Sequence, residues 1–183
     1  MLLLKVTLCN KCNLKSKNIK IKLNMSNQVT VQMILNSWNS TIEQANSIFE
    51  KISDEDFLKE IAPNKNSGAY LLGHLVGVHD RMLPVLGIGE PLYPVLLDVF
   101  LRKADDKTNG GLSVKDLRAY WLELNEILST HFKTYSTENW FQKHTSVTDE
   151  DFAKEPHRNK LNILISRTNH LSYHLGQIAL LKK

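Results

Sequence analysis

From Gln28 to about Ile52, apolar residues fall at every third or fourth position: Ile34, Trp38, Ile42, Ala45, Ile48, Phe49 and Ile52. Asn36, Ser40, Glu43, Gln44 and Glu50 occupy the other side, which is the pattern of an amphipathic helix with one face on a core. Ser53–Asp56 and Ala62–Asn66 read as turns. A second helix is predicted from an N-cap at Asn66 or Ser67 to Leu83, with Pro84 and Gly87 ending or kinking it. Gly73 and Gly77 inside it cost helix stability, so they predict a close contact or open space beside His74.

Residues 88–112 form a long connection punctuated by Pro91, Pro94 and the Gly110–Gly111 pair, with a short helix expected over Val95–Leu101. A connection of this length fits a segment that crosses over a bundle or covers a site. A third helix follows a cap at Ser113, with Val114, Leu117, Tyr120, Trp121, Leu124, Ile127, Leu128, His131, Phe132 and Tyr135 on its stripe. Thr137–Glu155 is polar and turn-rich, with Trp140 and Phe141 expected to tuck against the bundle. Asn159 caps the last helix, whose apolar run spans Leu161–Leu181. Strand-like alternation occurs only over Ile19–Leu23. The expected fold is therefore all-α, a four-helix bundle with a long crossover between its second and third helices.

The length of 183 residues suits one domain, and no apolar run approaches the roughly 18 residues of a membrane span. A net charge of +4 invites a nucleic-acid reading, but residues 1–24 hold six lysines and no acid, which leaves Met25 onward at −2. The basic character belongs to the tail, and no phosphate-binding face is indicated. Residues 1–24 read as a basic extension, disordered or upstream of the natural start, because Met25-Ser26-Asn27 resembles a protein start and the domain runs 25–183. Cys9 and Cys12, the only cysteines, lie in that extension; their Cys-x-x-Cys spacing lacks further ligands or a strand–helix context. The absence of cysteine elsewhere fits a cytoplasmic protein.

The chemistry concentrates in Asn169-His170-Leu171-Ser172-Tyr173-His174-Leu175-Gly176-Gln177. Residues four apart stack on one face of a helix, so His170 and His174 point the same way and can chelate one divalent ion. His74, on a strip with Leu71, Val78, Arg81 and Val85, is the natural third ligand from a facing helix. Three histidines leave a fourth coordination position open, as catalytic sites do. His79 and His131 compete for the third place, with packing the simpler role for His131. His144 and His157 sit in polar surroundings and read as solvated.

Gly73-His74-Leu75 together with the Asn169–Gln177 stretch resembles the DinB/YfiT-like family of metal-binding four-helix bundles over about Gln28 to Leu181. The resemblance implies an up-down-down-up bundle and a three-histidine site at His74, His170 and His174, with zinc or nickel as the metal. It also implies thiol-dependent transferase or isomerase chemistry that uses a low-molecular-weight thiol as cosubstrate. Residues 1–24 fall outside it.

Arg81 and Arg167 are candidate anchors for a substrate carboxylate, because a guanidinium binds that group through two parallel hydrogen bonds. An ordinary ion pair is the simpler role for each. Gln177 and Asn169 are candidates for orienting a ligand's second nitrogen, and Tyr173 and Trp121 read as core or interface aromatics. The functional expectation is a metal-dependent enzyme acting on a small electrophile, with a non-catalytic metal-binding or stress-response bundle as the alternative. Apolar residues facing solvent on the first and third helices are compatible with a homodimer.

Overall fold

The computed structural model describes residues 3–181, and side chains from Ile21 onward apart from Leu23. Among these residues the chain is all-helical, without a strand. Helix α1 spans Leu3–Lys51. Its buried positions begin at Val31 and continue through Trp38, Thr41, Ala45 and Phe49, close to a seven-residue repeat. The backbone of residues 3–24 belongs to the same helix, so the strand-like reading of Ile19–Leu23 gives way to helix. That stretch contains neither Gly nor Pro, so nothing in it stops a helix that has already nucleated. Cys9 and Cys12 lie outside the residues whose side chains are described.

The turn expected at Ser53–Asp56 is a short helix, α2 (Asp54–Phe57), capped by the Ser53 hydroxyl. Helix α3 (Gly68–Asp80) starts at the predicted Ser67 cap, whose Oγ accepts from Tyr70 N at 3.2 Å. It is buried on nearly every side, as an all-round apolar helix must be. Helix α4 (Met82–Leu86) continues past Arg81 and ends at Gly87, whose φ of 73° is the left-handed C-terminal position that favours glycine.

The crossover contains a π-helical turn at Leu97–Leu101 and a 3-10 turn at Asn109–Gly111. It is fastened at both ends by carboxylates. The buried Asp80 accepts from Leu92 N at 2.7 Å and Tyr93 N at 3.1 Å, and Asp105 accepts from Ser67 N at 2.6 Å and Ser67 Oγ at 2.8 Å. Gly73 and Gly77 face this segment, which explains their presence. A Cβ at Gly73 would lie 2.5 Å from the Phe100 ring, and one at Gly77 would lie 2.5 Å from Leu101 Cδ1.

Helix α5 (Val114–Thr134) has the predicted Ser113 cap, reinforced by Asp116 in a capping box. The polar stretch after it holds two short helices, α6 (Thr137–Trp140) and α7 (Asp149–Lys154), with Trp140 buried and Phe141 packed on the core. Helix α8 (Lys160–Ile178) starts at the Asn159 cap and runs into a 3-10 turn at Ala179–Leu181. Helix α1 packs on α8, while α3 lies between α5 and α8 with the π-helical turn on its remaining side. No described helix is long and apolar enough to cross a membrane. Met25, Val29 and Met33 on α1 and Leu122 on α5 are exposed.

Candidate metal centre

Three elements meet around one point: α3, α8 and the π-helical turn. Helix α8 buries Leu164, Thr168, Leu171, Leu175 and Ile178, which sets its rotation. His170 and His174, one turn apart beside that stripe, are thereby turned together toward α3. His74 Nε2 lies 3.2 Å from His170 Nε2, and His174 Nε2 lies 3.1 Å from His170 Nε2. One nitrogen from each of the three residues lies within 4.8 Å of the others. On a tetrahedral ion with metal–nitrogen bonds of 2.0–2.1 Å, neighbouring ligand nitrogens stand about 3.3–3.4 Å apart. The site is within a few tenths of an ångström of that spacing on two of its edges.

The far nitrogens explain why the near ones face one another. His74 Nδ1–H donates to the Phe100 carbonyl at 3.0 Å, and His174 Nδ1–H donates to Gln177 Oε1 at 2.7 Å. A proton held on Nδ1 leaves Nε2 as a bare lone pair aimed inward, as metal-ligating histidines require. The Nδ1 of His170 is buried and has no hydrogen-bond partner in the protein. Burial, followed by the neighbouring His174 and His74, pushes the His170 pKa down to about 4; burial foremost also lowers that of His174. Both rings are therefore neutral at pH 7, the form that binds metals. Three converging imidazoles, two of whose outer nitrogens are committed elsewhere, fit a divalent ion of the zinc type.

Two other polar features lie nearby. Arg167 is half-buried on α8 and Arg81 is exposed just past α3. Their like charges are felt by one another, and burial with Arg81 lowers the Arg167 pKa. The simpler expectation, an ion pair for each, is not met: neither has a carboxylate partner among the described residues. His79 lies in the core, its ring between Trp38 and Trp121 with centroids 4.9 Å from each. Burial pushes its pKa down to about 3.

The remaining residues singled out from the sequence divide plainly. Gln177 stands in contact with His174, whereas Asn169 is exposed and touches none of the three histidines through a hydrogen bond. Trp121 is core, but Tyr173 is 65% exposed, with its ring 5.0 Å from that of His174. His131 is half-buried and outside the cluster, and His157 is exposed. His144 is not freely solvated as expected; it is half-buried with Nδ1 enclosed, and burial lowers its pKa. The partner that sequence reasoning missed is Phe100. It acts through its backbone carbonyl, which carries no residue-type signal.

Among the described residues the protein is all-helical, and it gathers three histidines from two helices into a group that could hold a metal ion. A sequence model of the DinB family matches residues 25–183, and the chain belongs to that family. No curated protein matches the chain closely enough to lend it an activity.

Proposed function

We propose that this protein is a divalent-metal-dependent enzyme in which His74, His170 and His174 hold the ion, with a small electrophile as substrate and a low-molecular-weight thiol, or water, as nucleophile. The observation that carries the reading is the convergence of three Nε2 atoms whose tautomers are set from outside at His74 and His174. The four long helices are read with it as an up-down-down-up bundle, with residues 88–112 crossing over between the second and third. No Asp or Glu oxygen joins the cluster among the described residues, so the donors are all neutral. When bound, a divalent ion at such a site supplies undiluted positive charge, which holds a thiol as thiolate or lowers the pKa of water near neutral pH. His74 and His174 keep the donor set rigid through Phe100 and Gln177. Arg167 and Arg81, cations without a carboxylate partner, receive an anionic group of the substrate.

Elemental analysis of untagged protein, followed by a thiol-transfer screen, tests the proposal. About one equivalent of zinc or nickel is expected. It is lost in His74→Ala and His174→Ala, and turnover is lost with it. A metal-free protein that turns over at the rate of the loaded one would overturn the assignment.

A further inference from the structure

Between α3, α4 and the start of the crossover lies a cavity of about 190 Å³. It is small beside the roughly 300–1,000 Å³ of drug-sized sites. Its walls are apolar at Pro84, Pro91, Pro94 and Leu96, and they carry two opposite charges, Arg81 and Glu90. Neither charge is in an ion pair, with the other or with any third group, among the described residues. Opposite charges on one small cavity attract, so something must hold them apart. The crossover backbone does so. Pro91 and Pro94 fix φ on that wall. Asp80, the other carboxylate lining the cavity, spends its oxygens on Leu92 N at 2.7 Å and Tyr93 N at 3.1 Å. The segment that bears Glu90 is thereby pinned to α3.

The cavity adjoins the metal centre. Gly77 lines it three residues after His74, which is about 4.5 Å of helical rise. Leu97 lines it three residues before Phe100, whose carbonyl holds His74. The geometry points to an α-amino-acid head group as the part of the substrate recognised here. Its carboxylate meets Arg81, its ammonium meets Glu90, and its apolar portion lies on the proline wall. A ligand with a carboxylate alone would engage one charge and desolvate the other, whereas a zwitterion matches both. Charges already held apart need little further ordering on binding. The inference rests on the reading above in which Arg81 receives an anionic group, and it adds the group that binds the opposite charge.

The test is calorimetric titration at pH 7 of wild type, Arg81→Met and Glu90→Gln, each metal-free and zinc-loaded. The probes are leucine, leucinamide, which lacks the carboxylate, and N-acetyl-leucine, which lacks the ammonium. Leucine is expected to saturate the wild type, and each analogue to bind about tenfold more weakly, as befits one lost hydrogen bond to a charged group. Arg81→Met is expected to weaken leucine and N-acetyl-leucine by about the same factor and to spare leucinamide. Glu90→Gln is expected to weaken leucine and leucinamide and to spare N-acetyl-leucine. Leucine that shows no saturable binding below roughly 10 mM, weaker than the millimolar affinity of a minimal site, would overturn the inference. So would losses that ignore which charge the probe lacks; the three probes on wild type decide even if a variant folds poorly. Charge-matched leucine binding by a protein that takes up no zinc or nickel supports this site and removes the metal reading. Normal zinc uptake without leucine binding removes this inference alone.

Discussion

His74 Nδ1 donates to the carbonyl of Phe100, 26 residues further along the chain, at 3.0 Å, and the Phe100 ring lies directly over Gly73. One residue of the crossover thus packs against α3 and orients a ligand. The contact depends on the missing side chain at Gly73. A Cβ there would come within 2.5–2.6 Å of three ring atoms of Phe100, closer than any settled contact. Gly73→Ala is therefore expected to move the π-helical turn and take the carbonyl from His74. Overpacking of this kind costs about 1–3 kcal/mol, and losing the oriented nitrogen weakens metal binding about tenfold or more. Thermal unfolding and chelator competition measure the two effects. Unchanged metal affinity would show that the Phe100 carbonyl does not hold the ring.

Gln177 separates orientation from folding more cleanly, because it sits at the half-exposed end of α8 with its Oε1 2.7 Å from His174 Nδ1. Gln177→Ala is expected to lower metal affinity about 10- to 100-fold while changing stability by no more than about 0.5 kcal/mol, as an ordinary surface substitution does. Gln177→Glu keeps the acceptor, adds negative charge behind the imidazole and is expected to bind metal at least as tightly as wild type. An alanine variant with native affinity would assign Gln177 to the helix end only.

The helices were legible because their signals are local. Ser67, Ser113 and Asn159 cap helices where their sequence context places them, and the stripes that follow are the ones buried. The three histidines were legible for the same reason: each follows from the phase of one helix. The same phase decides between the alternatives left open for Tyr173, which is not a core aromatic, and sets Asn169 apart from the three rings. Each lies two residues from the buried Leu171, about 200° round the helix, and so faces away from the core. A short helix over Val95–Leu101 and a close approach at Gly73 and Gly77 were legible, and both are present. The π-helical form of that turn and the partner it supplies, the Phe100 carbonyl, were not, because a backbone oxygen brought in by tertiary packing carries no residue-type signal.

The buried histidines make metal-free stability depend on pH in a stated direction. An unfolded histidine titrates near 6.5, whereas burial holds folded His79 at about 3 and His170 at about 4. Above pH 6.5 both states are neutral and pH has little effect through these rings. Below it the unfolded chain takes up protons that the folded chain refuses, so stability falls as pH falls until each folded ring titrates. Fully buried His79 contributes up to about 1.4 kcal/mol per pH unit across that window, and the more exposed His170 contributes less. Denaturant titrations of wild type and His79→Phe at pH 7, 6 and 5 isolate the difference, because the carboxylates are common to both. The variant is expected to lose less stability than wild type on going from pH 6 to pH 5. Equal losses would show that His79 is not held neutral by its burial.

Arg167 offers the sharpest distinction between a residue kept for structure and one kept for a ligand. It is a half-buried cation whose pKa is lowered by burial first and by the Arg81 charge second, and no carboxylate pairs with it among the described residues. Removing such a charge relieves self-repulsion and a desolvation cost without breaking an ion pair, and a methionine retains most of the stem's packing. Arg167→Met is therefore expected to unfold at the same temperature as wild type or higher. The same variant is expected to raise KM for a substrate bearing a carboxylate at least tenfold, because a charge-assisted pair of hydrogen bonds is lost. An uncharged analogue should show no such penalty. A midpoint lower by more than about 2–4 °C, which corresponds to about 1 kcal/mol in a chain of this size, would make Arg167 structural. In that outcome the anionic substrate loses its anchor.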